Sequence, residues 1–417
     1  MTLFQRFRSL SFILVLLLGS SVCIAKEATL GKRFRLSGFG TLALTRGGNE
    51  DLGFRRNINQ EGTFDGDWSI AADSLLGLQL DILGNERFSG AVQLVGKDRI
   101  DDNLDDSLTW AFVRYRFNPD WTLRAGRIGY DLFMLSDYRD VGFAYLWTRP
   151  PTEFYTPLSF DSFDGVDLTW STLLGEGTLR TKFMVATSST TISVLDNPID
   201  VELSLILGGT ITWESERWQI KFSVSDNKLG DESGYFPSTE PLASILLQVA
   251  PLWPEAVAIS ENFKVNHPHI QYYALGAAYT NNTWQIQSEL SYFDSSLNIY
   301  PPSFNGYVSV GYQIGPVTPF ILASFLDAQK PRQILPESPA LLDLLQQIAQ
   351  TSFDSTNADQ NTLSLGMRWD LRYDLALKAQ WDHTWVSAYS GGMWDQRNIP
   401  THAEELNTFS INLNFIY

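Results

Sequence analysis

Apolar and polar residues alternate along most of this chain. Leu36, Gly38, Gly40, Leu42 and Leu44 share one parity, with Arg35, Ser37 and Thr41 on the other. Trp68, Ile70, Ala72, Leu76, Leu78, Leu80 and Ile82 alternate with Ser69, Asp73, Gln79 and Asp81, and read as one long strand. A period of two is the mark of a strand with unlike faces. The turn Gly84-Asn85-Glu86 leads to Phe88, Val92 and Leu94, which completes a hairpin. The same unit recurs. Ala111, Val113, Tyr115 and Phe117 oppose Arg114 and Arg116; Trp121, Leu123 and Ala125 oppose Arg124. Val166, Leu168 and Trp170 precede Leu179, Thr181, Phe183 and Val185, which face away from Arg180 and Lys182. Further runs are centred on Leu207, Phe222, Ala274, Leu290, Val310, Leu322, Leu365, Leu377 and Ile411, with Ile270, Tyr272, Ala274 and Ala278 taken as the apolar face of theirs. The pattern predicts sixteen strands in eight hairpins, with short and long connections alternating. Long connections are expected at 49–66, 99–106, 130–162, 188–202, 226–268, 294–304 and 328–361, with helical stretches near 242–249 and, behind Ser338-Pro339, at 340–350.

A chain of this kind has two solutions. A soluble all-β protein would turn the apolar face toward a dry core, with strands of about 5–6 residues. A membrane barrel turns it toward lipid, because every backbone group in hydrocarbon needs a partner and only a closed ring provides one. The tryptophans favour the barrel. Trp121, Trp170, Trp213, Trp218, Trp284 and Trp369 all lie beside a short turn with the outward parity, as do Phe88 and Phe117. That is an aromatic ring at one membrane interface. The expected fold is therefore all-β, a transmembrane antiparallel β-barrel of sixteen strands spanning residues 26–417.

Composition narrows the picture. Arg6 and Arg8, the apolar run Phe12 to Leu18, and Cys23-Ile24-Ala25 read as a signal peptide over residues 1–25. Its removal takes the sole cysteine, leaves no disulfide or thiol chemistry, and moves the formal charge by two, from −17 to −19. Such acidity argues against nucleic acid as a partner. Aromatic residues make up 13% of the chain, and they crowd the connection 130–162: Tyr138, Phe143, Tyr145, Trp147, Phe154 and Tyr155. A long irregular segment rich in such side chains buries itself, and in a wide barrel it can fold into the mouth.

The chain resembles the Gram-negative outer-membrane general porins over nearly its whole mature length. The resemblance rests on the signal peptide, the strand count, the long third outer loop, Leu123-Arg124-Ala125-Gly126-Arg127 before it, Phe163-Asp164-Gly165-Val166-Asp167-Leu168-Thr169-Trp170 after it, and the terminal Phe415-Ile416-Tyr417. It implies a homotrimer in the bacterial outer membrane among lipid and lipopolysaccharide. It also implies insertion by the barrel assembly machinery, with Phe415 and Tyr417 as the assembly signal, and passive diffusion of small hydrophilic solutes.

The candidate chemistry is a bore and its charges. Arg114, Arg116, Arg124, Arg180 and Lys182 have the inward parity and form a basic wall; the loop offers Asp137, Arg139, Asp140, Arg149 and Glu153, with Asp137, Asp140 and Glu153 expected to face that wall. Arg127 has the outward parity and needs shelter from lipid. His267, His269, His383 and His402 show no zinc spacing, and Asp101, Asp102, Asp105 and Asp106 read as a solvated acidic loop. No cofactor or metal is expected, and no nucleophile or phosphate-loop motif is present. A substrate-specific channel for an anion or small sugar, a barrel enzyme and an adhesin are the alternatives to a general diffusion pore.

Overall fold

The computed structural model describes residues 28–29, 33–101, 103–195, 197–230, 239–264, 269–295 and 300–417. The signal peptide with Cys23, and also His267 and Asp102, lie outside them.

Sixteen long strands form one ring. They are β1 (Phe34–Arg46), β2 (Leu75–Leu83), β3 (Phe88–Lys97), β4 (Leu108–Arg116), β5 (Trp121–Ile128), β6 (Phe163–Leu174), β7 (Gly177–Val194) and β8 (Asn197–Glu214). Then come β9 (Trp218–Leu229), β10 (His269–Thr280), β11 (Trp284–Ser295), β12 (Ser303–Tyr312), β13 (Val317–Ala328), β14 (Gln360–Arg372), β15 (Leu375–Val386) and β16 (Glu404–Ile416). Each pairs antiparallel with its neighbours, and β1 pairs with both β2 and β16, which closes the barrel.

The ring is inside-out relative to a soluble protein. Outward Phe183 and Val113 are 60% and 59% exposed, while inward Asn305, Asn412 and Asn414 are fully buried. Only a lipid surround makes such an exterior stable. Cross-strand register assembles the aromatic ring: Trp121 opposes Trp170, Trp218 opposes Tyr279 and Trp284 opposes Tyr312, with ring centroids 6.4, 4.7 and 4.8 Å apart.

Four details depart from the sequence pattern. The run from Trp68 to Ile82 is not one strand. Trp68–Ser69 pairs briefly with β1, a turn follows, and β2 starts at Leu75. The break lets Asp73 turn inward, where Thr45 (2.6 Å) and Arg149 (3.1 Å) donate to it. Residues 188–202 are not a loop, since β7 and β8 stay paired out to Val194 and Asn197. Their hydroxyl-rich outer half lost the alternation because it stands clear of lipid and packs against loop residues; Asn59, for instance, reaches Thr190 at 3.5 Å. β9 likewise runs on to Leu229, past the expected loop start at Asp226. On β10 the parity is reversed. Tyr272 and Ala274 point inward and are 1% and 5% exposed, whereas Tyr273 and Leu275 face out. Both faces of that strand are apolar because the inner one packs on Phe133, 5.7 Å from Tyr272.

The connection between β9 and β10 carries α1 (Glu240–Val249) and α2 (Ala256–Asn262), and that between β13 and β14 carries α3 (Asp343–Asp354). Their buried faces meet through Phe263 and Phe353, 4.9 Å apart.

Candidate functional site: the infolded loop and the basic wall

The connection 129–162 leaves β5 and crosses the interior to the far wall. Trp147 Nε1 donates to Ser309 on β12 at 2.7 Å. Met134 N donates to Glu289 on β11 at 2.9 Å, and Tyr155 donates to the same carboxylate. Asn305 reaches the Glu153 carbonyl at 3.1 Å, and Asn412 the Thr148 carbonyl at 2.7 Å. Between these bonds lies a dry aromatic stack. Trp147 and Phe154 sit 5.3 and 5.4 Å from Tyr307, and Phe133 sits 5.2 Å from Tyr155. The loop is therefore folded into the lumen, and its apolar side chains form a core with Tyr272, Phe293, Tyr307, Phe320 and Leu322 of β10–β13.

Charge anchors the rest of the loop. Arg149 is enclosed by Asp73 (3.0 Å), Asp382 (2.6 Å) and Ser410. The Glu153 carboxylate is 1% exposed and accepts from Ser324 (2.8 Å), Gln360 (2.6 Å) and Thr362. Arg139 and Asp140 join a network at the loop's outer side. Lys97 bridges Asp140 (3.3 Å) and Asp161 (2.7 Å); Arg99 and Arg139 also hold Asp161, at 3.1 and 2.9 Å. Burial alone would raise the Asp161 carboxyl, but the cations Lys97, Arg99 and Arg139 outweigh it and hold it well below the usual range. Asp140 is shifted the same way: burial opposes, and Lys97 dominates the attraction.

On the opposite side a cavity of about 480 Å³ remains open. Arg114, Arg116, Arg124, Arg180, Lys182 and Lys221 line it, against Asp131, Asp137 and Glu214. Six cations thus face three carboxylates. Arg180 pairs with Glu214, and Lys182 and Lys221 share Asp131. Burial would raise the Asp131 carboxyl, yet these two lysines hold it below the ordinary range. Arg124 pairs with Asp167 at 2.7 Å, which lies next to it on β6. The side chains of Arg114 and Arg116 make no ion pair or hydrogen bond among the described residues. Arg114 instead lies 5.6 Å from the Phe112 ring.

The five basic residues of the expected wall and Asp137 come together on this cavity. Asp140 and Glu153 do not face it, since they are drawn into the outer network and the far wall. Arg139 and Arg149 are likewise engaged elsewhere. The reason is that a loop carboxylate goes wherever its strongest partner is, which spacing along the chain does not encode. Three charged lining residues were missed: Asp131, Lys221 and Glu214. The inward parity of Lys221 on β9 was a usable signal; Asp131 carried none.

Arg127 is sheltered at the outer rim by Asp164 (2.8 Å) and Asp105 (3.0 Å). Gly126 beside it has φ +124°, a backbone conformation that glycine tolerates. The ring of Tyr417 covers Gly38, and that of Phe415 covers Gly40; no side chain at either position would fit beneath. His269 pairs with Asp226 at 3.1 Å and His402 with Glu404 at 2.9 Å. His383 faces outward between Trp381 and Trp385. Among the described residues no group of three or more His, Cys, Asp or Glu side chains is placed to hold a metal ion.

The fold matches solved structures along almost its whole length. OmpF of Salmonella typhi, solved with daunomycin, aligns with a TM-score of 0.52 at 10% identity, over 92% of this chain and 97% of that one. The anion-selective porin of Comamonas acidovorans aligns at 0.50 and 11%, over 92% and 100%. The outer-membrane channel DcaP of Acinetobacter baumannii aligns at 0.50 and 12%, over 94% and 100%. No family model matches the sequence. No curated protein matches it at a significant level. The shared feature is the fold, a closed sixteen-strand porin barrel.

Proposed function

We propose that this porin-fold barrel is a passive outer-membrane channel for small hydrophilic solutes and ions, with no enzymatic step. The observation that carries the reading is the cavity of about 480 Å³ left between the infolded loop and the inner face of β4–β9, inside a ring whose exterior suits only lipid. Charged side chains there meet solutes rather than substrate bonds. Residues 130–162 narrow the bore. Arg114, Arg116, Arg124, Arg180 and Lys182 with Asp137 bias what enters, while Arg139, Asp140, Arg149 and Glu153 hold the loop in place. Lipopolysaccharide, the barrel assembly machinery acting on Phe415 and Tyr417, and two further copies in a trimer are the partners this reading brings. Purified protein in a planar bilayer should give stepwise, ohmic current. Absence of conductance in correctly folded barrels would count against a channel and favour a plugged adhesin.

A second reading, preference for anions, has its own support: six cations against three carboxylates, two of the arginines unpaired. It runs against the net charge of the whole chain, −17. A salt gradient decides, because the sign of the reversal potential reports the ion that crosses faster.

A further inference from the structure

Behind the loop lies an arrangement that the solute path does not use. Lys378 on β15 points inward and is fully buried. An ammonium group has three donors. All three go to backbone carbonyls of the loop: Gly142 at 2.5 Å, Tyr145 at 2.5 Å and Trp147 at 2.7 Å. No carboxylate lies within 4.0 Å of it among the described residues. Directly opposite in the β14–β15 register stands Arg368. Its Nη1 donates to Phe143 O at 2.6 Å and Tyr145 O at 3.1 Å, while its Nε is held by Asp370 at 2.8 Å. Like charges in opposed register are unfavourable by themselves. Here both turn toward one short backbone segment, whose four carbonyl dipoles converge on them. The rings of Phe143 and Tyr145 add cation–π contact, 4.7 Å from Arg368 and 4.6 Å from Lys378.

We propose that Lys378 and Arg368 form a clamp that fixes the 142–147 segment of the loop against the β14–β15 wall, and so sets the cross-section and the steadiness of the conduit on the other side. The proposal rests on the channel reading above. Lys378 and Arg368 are positioning residues, since neither lines the open cavity. A fully buried cation with only carbonyls to answer it, opposite a partly buried one, would be costly as mere scaffolding. Their arrangement makes sense where a loop without regular structure must be held at one depth. Releasing either cation leaves carbonyls unpaired in a dry site, and the segment then samples positions nearer the conduit.

The test uses the full-length barrel in planar bilayers, with folding checked by heat-modifiable gel migration. Lys378→Met is expected to raise open-channel noise several-fold and to add conductance sublevels to a still-folded barrel. Arg368→Gln should do the same to a lesser degree, because Lys378 still holds three carbonyls. A folded Lys378→Met channel with wild-type noise, conductance and solute cut-off would overturn the clamp. If Lys378→Met does not fold, Arg368→Gln decides alone, and wild-type noise there overturns the proposal. A wild-type protein that conducts nothing would fail the channel reading instead, which separates the two.

Discussion

The two halves of the lumen are built from the same pattern and end in opposite states. Along β10–β16 the inward side chains are polar, such as Ser291, Asn305, Ser309, Gln380 and Asn412, yet all are buried. Along β4–β9 the inward side chains include Arg114, Arg116, Arg124, Arg180, Lys182 and Lys221, and beside these a cavity stays open. Strand parity alone does not distinguish a wet wall from a dry one. The difference comes from the loop. Its aromatic residues and backbone carbonyls bring partners for hydroxyls, amides, Lys378 and Arg368, whereas among the described residues none of its groups hydrogen-bonds the side chains of Arg114, Arg116, Arg124 or Arg180. A wall that the loop can satisfy is covered; one that it cannot satisfy remains to water and solute.

The sharpest break in that contrast is Arg149→Ala. It strands Asp73 and Asp382 in the dry half and should cost roughly 3–5 kcal/mol, as breaking a buried pair does. Arg180→Ala on the wet half, where the pair with Glu214 is about half exposed, should cost about 1 kcal/mol or less. Thermal unfolding followed by gel migration compares the two. Trp147→Ala comes next, with a cost near 3–5 kcal/mol from the cavity and a lost bond to Ser309. It should also increase protease cleavage within 130–162. The double variant Arg114→Ala, Arg116→Ala should leave stability within about 0.5 kcal/mol. Its effect should instead be on current, moving the reversal potential toward cation preference. An unchanged potential would remove those two arginines from the selectivity account.

The smallest effect is that of pH. Asp131, Asp140 and Asp161 have carboxyls held below the unfolded value of about 3.9. Their stabilisation is complete above that value and is lost only as pH falls through the lower folded values. Conductance and unfolding temperature should be flat from about pH 8 to 5 and fall below about pH 3. A midpoint near neutrality would show that another group controls the loop.

Much of this was legible in the sequence, for physical reasons. Lipid on one side and water or polar partners on the other give an alternation that survives in β1, β5 and β16, and the Trp121–Trp170 pair marks the interface. It fails where a strand does not have lipid on one side and polar surroundings on the other: the hydroxyl-rich end of β7 stands clear of lipid and packs on loop residues, and β10 at Tyr272-Tyr273-Ala274 is apolar on both faces. The tendency of 130–162 to bury itself was readable from aromatic residues such as Tyr145, Trp147, Phe154 and Tyr155, all of them buried. The partners of Arg149 were not, because Asp382 lies 233 residues away and pairing at that range depends on closing the ring first. Nor could spacing tell that Asp140 and Glu153 turn from the basic wall while Asp131 turns toward it.

We propose that solutes pass between the loop and β4–β9 and not along β10–β16. Cysteines at Thr169 and Gln219, which line the open cavity, and at Ser291, which is buried on the far side, test it in a conducting channel exposed to a charged thiol reagent. Current should fall on modification at 169 and 219 and stay constant at 291. Block at 291, with 169 and 219 silent, would contradict it.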